Sequence, residues 1–294
     1  MSRATRIAVC TNRGPDEVAE CLAALRAQAG HEAVLLVTSG LTSEAANAHR
    51  QAFPGEVIEE PRPGLSLARN RALEACPDDG VIAFVDDDAV VEPGWWHALR
   101  RRWDEAPEHV AVIGGPIRPR YDTPPPRWLS PPLLPALTLL DLGPRVRDLD
   151  PEVTTVYGAN ISFRVAPLRE AGGFDPDLGH SGERVFFSEE DEAQREIARA
   201  GHAVRYVPDA AVLHVIAPER LTRISFVRRR FWYGFTLGVR RARPVSLALR
   251  QMLSSAAGAP IAALRRDDRL LMERVVRVAE NAGVLAARAR SARA

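Results

Sequence analysis

Three consecutive aspartates, Asp86, Asp87 and Asp88, directly follow a short apolar segment at residues 81–85. Bunched carboxylates repel one another and are costly to bury unless a cation lies among them. Their oxygen atoms select hard divalent ions such as Mg²⁺ or Mn²⁺, which also bind phosphates. The aspartates therefore predict a metal site for a phosphate-bearing ligand, with a solvated acidic turn as the alternative.

A second acidic cluster, Glu189 to Glu192, lies at the start of a helix predicted over residues 188–200. A carboxylate is able to take a proton from a reacting group, which is the chemistry of a general base. The alternative is an acidic first turn that stabilises its helix through the helix dipole. Both interpretations stay open at this point.

The elements that must position these acids alternate along the first two thirds of the chain. Short apolar segments predict strands, and amphipathic stretches between them predict helices, which together indicate a mostly parallel, doubly wound α/β sheet flanked by helices. Ligands of such sheets gather at the carboxyl ends of the strands, so the polar residues after each strand should share one edge. The strands are predicted at residues 7–10, 33–37, 57–58, 81–85, 110–113 and 203–207.

The composition changes twice after this alternation. Residues 119–135 are rich in proline, which excludes regular helix and interior strand and predicts an irregular loop. Residues 220–243 contain eight arginines and no acid, together with five aromatic side chains. We therefore predict a catalytic domain over residues 1–217 and a helical extension over 218–294. The extension places apolar residues on one helical face, a candidate for homodimer contact: Leu264, Leu271, Val275, Val278, Ala282 and Leu285.

Charge and cysteine content exclude several classes of protein. The formal net charge is +1, and no nucleic-acid recognition module accompanies the arginines, so a nucleic-acid partner is not expected. The three cysteines are widely spaced, which argues against a zinc site or a disulfide framework and favours the cytosol. No apolar stretch is long enough to span a bilayer, whereas residues 220–243 are a candidate for peripheral contact with the inner face of a membrane.

Six segments resemble, in order, elements of the family 2 glycosyltransferases, which have the GT-A (Rossmann-like) fold. The resemblance covers residues 6–214 and implies inverting transfer of a single sugar from a nucleoside-diphosphate sugar to a hydroxyl of a small molecule, lipid or glycan. The alternatives are a catalytically silent module that binds sugar nucleotides or a partner, and a nucleotidyltransferase. The segments are VCTNRGPDEVAECLAAL, PRPGLSLARNRAL, FVDDDAVVEPGWW, YGANISFR, GGFDPDLG and SEEDEAQREIARAGHAVRYVPDAAVLH.

Carried over by position, the resemblance implies a donor site that holds Mn²⁺ or Mg²⁺. Asp88 is the direct metal ligand, Asp86 holds the ribose or the metal, and His214 completes the metal shell. A UDP-sugar is the favoured donor, although Thr38 and Ser39 stand where many members have an acid that recognises uracil. The residues expected to bind the sugar nucleotide are Thr11, Asn12, Arg13, Thr38, Arg69, Asn70, Asp86 and Asp87.

The same resemblance implies an acceptor side that contains Gly158, Asn160 and Glu189. Family members usually have a Glu-Asp pair at the base-bearing helix, and its second acid acts as the base. Counting back from residues 200–201 places that acid at Glu190, whereas a shift of one residue restores the usual pair and places it at Asp191. Glu190 and Asp191 therefore remain rival candidates for the catalytic base.

Overall fold

The computed structural model describes residues 3–178, 180–181, 184–185 and 189–291, and its main element is an eight-stranded sheet. The sheet has the strand order β3-β2-β1-β4-β9-β6-β12-β8. The strands of the described chain are β1 (Thr5–Thr11), β2 (Val34–Ser39), β3 (Glu56–Glu60), β4 (Val81–Val85), β5 (Ala89–Val91), β6 (Val110–Gly114), β7 (Ile117–Tyr121), β8 (Arg147–Leu149), β9 (Asn160–Arg164), β10 (His180–Ser181), β11 (Arg184–Val185), β12 (Ala203–Tyr206) and β13 (Val212–Ile216).

The helices fall between the strands and in a C-terminal group. Short 3₁₀ helices cover Pro131–Leu137 and Pro218–Leu221. The α-helices are α1 (Pro15–Ala29), α2 (Ser43–Ala52), α3 (Leu65–Glu74), α4 (Trp95–Glu105), α5 (Val165–Glu170), α6 (Glu189–Arg199), α7 (Arg223–Val239), α8 (Val245–Leu264) and α9 (Asp268–Ser291).

The sheet confirms the predicted α/β class and adds mixed strand directions. β3, β2, β1 and β4 are parallel neighbours, and β2, β4 and β6 are buried along their whole length. Continuous apolar strands of this kind are typical of a parallel sheet covered on both faces. β9, however, runs antiparallel between β4 and β6, because residues 115–159 return the chain from the other direction.

A small second sheet, with the order β5-β13-β7, positions the histidine that the sequence analysis selected. β13 pairs antiparallel with β5, and this register sets His214 opposite Ala89. The backbone N–H of Val215 also donates to the carbonyl of Asp88 at 2.9 Å. Residues more than 120 positions apart in the sequence are thereby brought side by side.

The chain divides into two compact units, and the division differs from the predicted boundary at residue 217. The first contains the described parts of residues 1–119, 140–184 and 188–215, and the second contains those of 120–139, 185–187 and 216–294. The proline-rich segment thus belongs with the C-terminal helices, where Trp128 packs edge-on against Phe226 at 5.0 Å between ring centroids. Part of this segment is regular, since it ends β7 and contains a 3₁₀ helix.

Within the second unit, α9 packs between α7 and α8 through a stripe other than the one predicted. Val275 of the predicted face is 36% exposed, and the described buried side chains of α9 include Met272, Val276 and Val284. The sequence did not reveal this buried stripe, because Glu280 and Asn281 lie in it and mask its apolar character. Both are buried by pairing with arginines of α7 and of the segment that follows it. Contact with a second copy through the predicted face stays a prediction. Among the described residues, no helix combines the length and the apolar content needed to cross a bilayer.

Candidate active site

The loop after β1 is held against the aspartates by a short chain of hydrogen bonds. The hydroxyl of Thr11 donates to Asp87 Oδ2 at 2.6 Å and accepts the backbone N–H of Arg13 at 3.0 Å. His49, a buried residue of α2, bonds through Nε2 to the carbonyl of Arg13 at 2.8 Å. These contacts fix the backbone of the loop, so that the Arg13 side chain reaches the carboxylates.

Arg13 is shared between two of the three aspartates. Its guanidinium lies 3.2 Å from Asp88 Oδ2 and 3.7 Å from Asp87 Oδ2. The pKa of Asp87 is raised to about 6, mainly by burial and also by the neighbouring Asp88 and Asp86, against the opposing effects of Thr11 and Arg13. Asp87 therefore links the loop after β1 to the end of β4, through the hydrogen bond that it accepts from the hydroxyl of Thr11.

Asp88 and His214 form the best candidate pair for a metal ion. His214 Nε2 lies 3.0 Å from Asp88 Oδ1, and the histidine is buried. Two ligand atoms at this separation suit neighbouring positions around one cation. In the part of the chain that the structure describes, no three His, Cys, Asp or Glu side chains converge as a complete site. An ion such as Mg²⁺ keeps few protein carboxylates and takes its other ligands from phosphates and water, and the Asp88–His214 pair is suited to hold such an ion.

Arg69 of α3 connects the third aspartate to the acids of α6. Its guanidinium is 3.4 Å from Asp86 Oδ1, 2.7 Å from Glu189 Oε1 and 3.9 Å from Glu190 Oε2. Arg69 is only 2% exposed. A buried charge of this kind is costly unless carboxylates surround it, which is the arrangement found here. One buried guanidinium therefore joins both acidic clusters that the sequence analysis selected.

Aromatic rings and a glycine shape the space around Arg69. The guanidinium lies 5.6 Å from the ring centroids of both Phe84 and Phe174, within the range of cation–π attraction. A Cβ atom on Gly158 would overlap the guanidinium. Gly158, predicted on the acceptor side, is therefore required by the close approach of Arg69.

The two rival bases have different environments. Glu190 accepts the backbone N–H of Gly158 on Oε1 at 3.2 Å. Burial raises the pKa of Glu190 well above its usual range, and the negative charges of Glu189 and Asp191 raise it further. Asp191 instead accepts the hydroxyl of Thr155 on Oδ1 in a short hydrogen bond. A buried carboxylate with a raised pKa is the better proton acceptor near neutral pH, which favours Glu190.

Two residues predicted on the acceptor side are occupied by other contacts. Asn160 is buried: it accepts from Trp95 Nε1 at 3.0 Å and donates to the carbonyls of Pro116 and Ala210. Glu189 is 3% exposed and is held by Arg69. Asn160 therefore joins strands and loops of the first unit, and Glu189 neutralises Arg69. The place of both residues on the acceptor side stays a prediction.

Two residues predicted to bind the sugar nucleotide are also engaged in the structure. The amide of Asn70 makes paired hydrogen bonds with the backbone of Phe174, at 2.7 and 2.8 Å. Thr38 is 1% exposed within β2, where neighbouring strands cover it on both sides. Asn70 thus holds the loop that carries Phe174, and Thr38 belongs to the interior of the sheet; the binding of the sugar nucleotide by either residue stays a prediction. Asn12 is exposed beside Arg13, and its role stays a prediction.

Two residues that no sequence pattern singled out hold the loop that precedes Gly158. Gln194 of α6 is fully buried and exchanges two hydrogen bonds with the backbone of Val156, at 2.8 and 3.0 Å. Thr155, next to Val156, donates to Asp191. A signal existed for Gln194, since it lies on the same helical face as the apolar Ile197. Ser188 and Gly179, which belong to the quoted motifs, lie outside the described residues.

A comparison with family models decides the family of the chain. The model named glycosyl transferase family 2 matches residues 6–172, more than half of the chain. The chain belongs to this family. The match includes the β1 loop, Arg69 and the aspartates after β4, and it ends before α6 and His214.

Relatives with known names agree with this assignment. The glucosyl-dolichyl phosphate glucuronosyltransferase of Haloferax volcanii is 31% identical over 179 residues, which cover 59% of this chain and 54% of the relative. The chain thus spans about half the length of this curated relative. The crystal structure of GalNAc-T7 with UDP, GalNAc and Mn²⁺ has a TM-score of 0.55 and 13% identity, covering 82% of this chain and 52% of that one. At this identity the structural likeness shows the GT-A fold alone.

Proposed function

We propose that this family 2 member is an inverting glycosyltransferase that moves one sugar from a nucleoside-diphosphate sugar, with UDP favoured, to an acceptor hydroxyl. The observation that carries the proposal is the position of Arg69 between Asp86 of the donor side and Glu190 of the acceptor side. A single displacement needs a leaving-group site and a base close together, on opposite sides of the transferred sugar. Here the guanidinium of Arg69 lies between the aspartates after β4 and the acids of α6, in contact with both groups.

On the donor side, Asp88 and His214 would hold the divalent ion, with Asp86 beside them. When bound, Mn²⁺ or Mg²⁺ neutralises the charge that develops on the departing diphosphate. Arg13 contacts Asp88 and lies next to the diphosphate in this proposal, where a guanidinium suits phosphate oxygens. Asp87 positions Arg13 indirectly, because it accepts the hydroxyl of Thr11, which holds the loop that carries Arg13.

On the acceptor side, Glu190 takes the proton of the acceptor hydroxyl. The acceptor oxygen then bonds to the anomeric carbon, while the bond from that carbon to the diphosphate breaks and its electron pair leaves with the nucleoside diphosphate. The N–H of Gly158 orients the Glu190 carboxylate for this step. Glu189 compensates the charge of Arg69, so that the carboxylate of Glu190 is not fully neutralised by that arginine.

The acceptor class that we favour is a hydroxyl on a lipid-linked sugar. Its support is the relative from Haloferax volcanii, whose name contains glucosyl-dolichyl phosphate, and the alignment with that relative covers 59% of this chain. We assign catalysis to residues 1–217, since every site residue discussed lies within the first compact unit. The identity of the transferred sugar is part of the test.

The test is an assay of nucleotide products with a panel of UDP-, GDP- and dTDP-sugars, Mn²⁺, and lipid-linked or soluble sugar acceptors. We expect acceptor-dependent release of a nucleoside diphosphate with at least one donor. Release of pyrophosphate would identify a nucleotidyltransferase instead. Donor binding without turnover for any acceptor, seen as a rise in melting temperature, would identify a silent sugar-nucleotide-binding module.

A further inference from the structure

Helix α8 buries small side chains and exposes large apolar ones, the reverse of an ordinary helix of a soluble domain. Its described buried side chains are small, Ala248, Ser255 and Ala262, and they repeat every seven residues toward α9. The larger apolar side chains lie on the opposite face: Leu253 is 63% exposed and Leu264 is 85% exposed. An amphipathic helix normally buries its bulky residues, so the exposed face indicates a further contact.

The exposed apolar residues form one continuous row along α8. They follow one another at intervals of three or four residues, which places them on a single face of a helix. We define the outer row as Val245, Leu249, Leu253, Ala256, Pro260 and Leu264, all of which are exposed. A helix of this length extends over about 30 Å, so the outer row offers a long, narrow apolar surface.

Arginines accompany the outer row at both ends, and Asp267 and Asp268 follow those at its C-terminal end. Residues 220–266 contain eleven arginines and neither aspartate nor glutamate. Arg250 lies on α8 itself, Arg241 precedes the helix, and Arg265 and Arg266 follow it, and all four are exposed. An apolar face with a cationic border is the pattern of a helix that lies in the headgroup region of an anionic bilayer.

Two of these arginines occupy backbone positions where glycine would be favoured. Arg241 has φ of +58° and Arg266 has φ of +53°, in the turns on either side of α8. Residues other than glycine seldom adopt this left-handed conformation. Each turn therefore has an arginine at a position where the backbone favours glycine, and these two arginines lie at the two ends of the outer row.

We propose that α8 docks on the surface of an anionic lipid bilayer, with the outer row in the apolar boundary and the arginines at its ends against lipid phosphates. The charge of residues 220–266 selects this occupant, because a bare apolar partner would not use a border of cations. The proposal refines the predicted contact through residues 220–243. Phe226 and Phe235 of that stretch are buried, and Arg230 pairs with Glu280 of α9. These side chains of α7 therefore pack within the C-terminal group of helices.

The experiment is co-sedimentation of the full chain with vesicles of phosphatidylcholine, with and without phosphatidylglycerol, at low and high salt. The apolar contribution is tested with the double variant Leu253→Ser and Leu264→Ser. The cationic contribution is tested with Arg241→Gly and Arg266→Gly, in which glycine relieves the positive φ and should preserve the fold. Val153→Ser is the matched control, since Val153 is 80% exposed and lies in the first unit.

The wild-type chain should sediment with phosphatidylglycerol vesicles and much less with phosphatidylcholine alone, and high salt should release it. Each double variant should bind about 10-fold or more weakly, and Val153→Ser should bind as the wild type does. Binding that is absent in the wild type, or unchanged in both double variants, would overturn the proposal. A concentration-dependent dimer that the Leu253 and Leu264 changes dissolve, without vesicle binding, would assign the outer row to a second copy of the chain. Thermal unfolding of each variant verifies the fold independently of binding.

Discussion

The acids after β4 and the acids at the start of α6 are neutralised in different ways. After β4, the three aspartates have several partners: Arg69 for Asp86, Thr11 and Arg13 for Asp87, and Arg13 and His214 for Asp88. On α6, Glu189 and Glu190 face the same guanidinium, at 2.7 and 3.9 Å. The first group shares its negative charge among four partners at the end of β4, whereas Glu189 and Glu190 share one buried cation.

This difference separates two kinds of chemistry. Asp86 is 31% exposed, so its edge of the sheet is accessible to a ligand that brings its own cation. Glu190 is 16% exposed, as Asp88 is, and burial together with the negative charges of Glu189 and Asp191 keeps the pKa of Glu190 raised. A carboxylate in the first setting is suited to share a metal with phosphates, and one in the second is suited to accept a proton.

The largest effect is expected from Asp88→Ala, which removes a proposed metal ligand. Transfer should fall by about 10³-fold or more, since the charge on the leaving group would lose its stabilisation. The melting temperature should change little, because this carboxylate lies at the edge of the sheet. Asp79→Ala is the control, as Asp79 is exposed and precedes the same strand at its other end. Full turnover of Asp88→Ala in metal-free buffer would remove the metal from the account.

The next effect concerns the base. Glu190→Gln keeps the size and polarity of the side chain but loses the basic carboxylate, so acceptor-dependent turnover should fall by roughly 10²-fold or more. Donor affinity should be nearly unchanged. Turnover and donor binding are measured side by side, and rescue by Glu190→Asp at a low rate would support the need for a carboxylate.

Asp191→Asn is the matched change for that experiment. We expect a much smaller loss, under about 10-fold, because Asn keeps an oxygen that accepts the hydroxyl of Thr155. An inactive Asp191→Asn beside an active Glu190→Gln would transfer the role of base to Asp191. Activity in both variants would exclude these two acids from the chemistry.

The pH profile gives a finer comparison of the same residues. Only the ionised form of Glu190 accepts a proton, and its pKa is raised, so kcat/KM should fall as the pH decreases through a value above the ordinary glutamate range. Asp191 contributes to the raised pKa through its negative charge. Asp191→Asn should therefore shift the acidic limb of the profile to lower pH. A limb that stays in place, or that moves to higher pH, would contradict the assignment.

The smallest effect is expected from Thr155→Val, which deletes the hydroxyl that donates to Asp191. Thr155 is buried, so the loss should lower the free energy of unfolding by about 1 kcal/mol, with transfer reduced by less than 10-fold. Urea denaturation measures the first quantity and a turnover assay the second. Thr154→Val is the control, since it makes the same change of side chain one residue away. A loss of activity as large as that of Glu190→Gln would show that Asp191 does more than anchor the helix.

The sequence was sufficient to locate β4 and the acids that follow it, because an uninterrupted apolar segment that ends in three aspartates has few other structures open to it. It was also sufficient for α6, whose acidic first turn and apolar face agree. The direction of β9 was not predictable, since an apolar strand has the same pattern in either direction. The closeness of His214 to Asp88 likewise follows from the pairing of β13 with β5, which is a tertiary contact.

Polar residues inside the fold were the main source of differences at the site. Asn70 and Asn160 are chemically suited to bind a ligand, but their hydrogen-bonding groups are used by backbone carbonyls and by Trp95. Such bonds join residues far apart in sequence, so no local pattern predicts them. For the same reason Glu280 and Asn281 concealed the buried stripe of α9, whose polar groups are compensated by Arg230 and Arg243.

The central claim is that the acids after β4 bind the donor through a divalent ion while Glu190 acts only on the acceptor. Calorimetric titration of UDP into the wild type, Asp88→Ala and Glu190→Gln, each with and without Mn²⁺, tests it most directly. We expect Mn²⁺ to strengthen UDP binding to the wild type and to Glu190→Gln within about twofold of each other, and to have no such effect on Asp88→Ala. Equal weakening by both substitutions, or binding that is independent of Mn²⁺ in all three proteins, would contradict it.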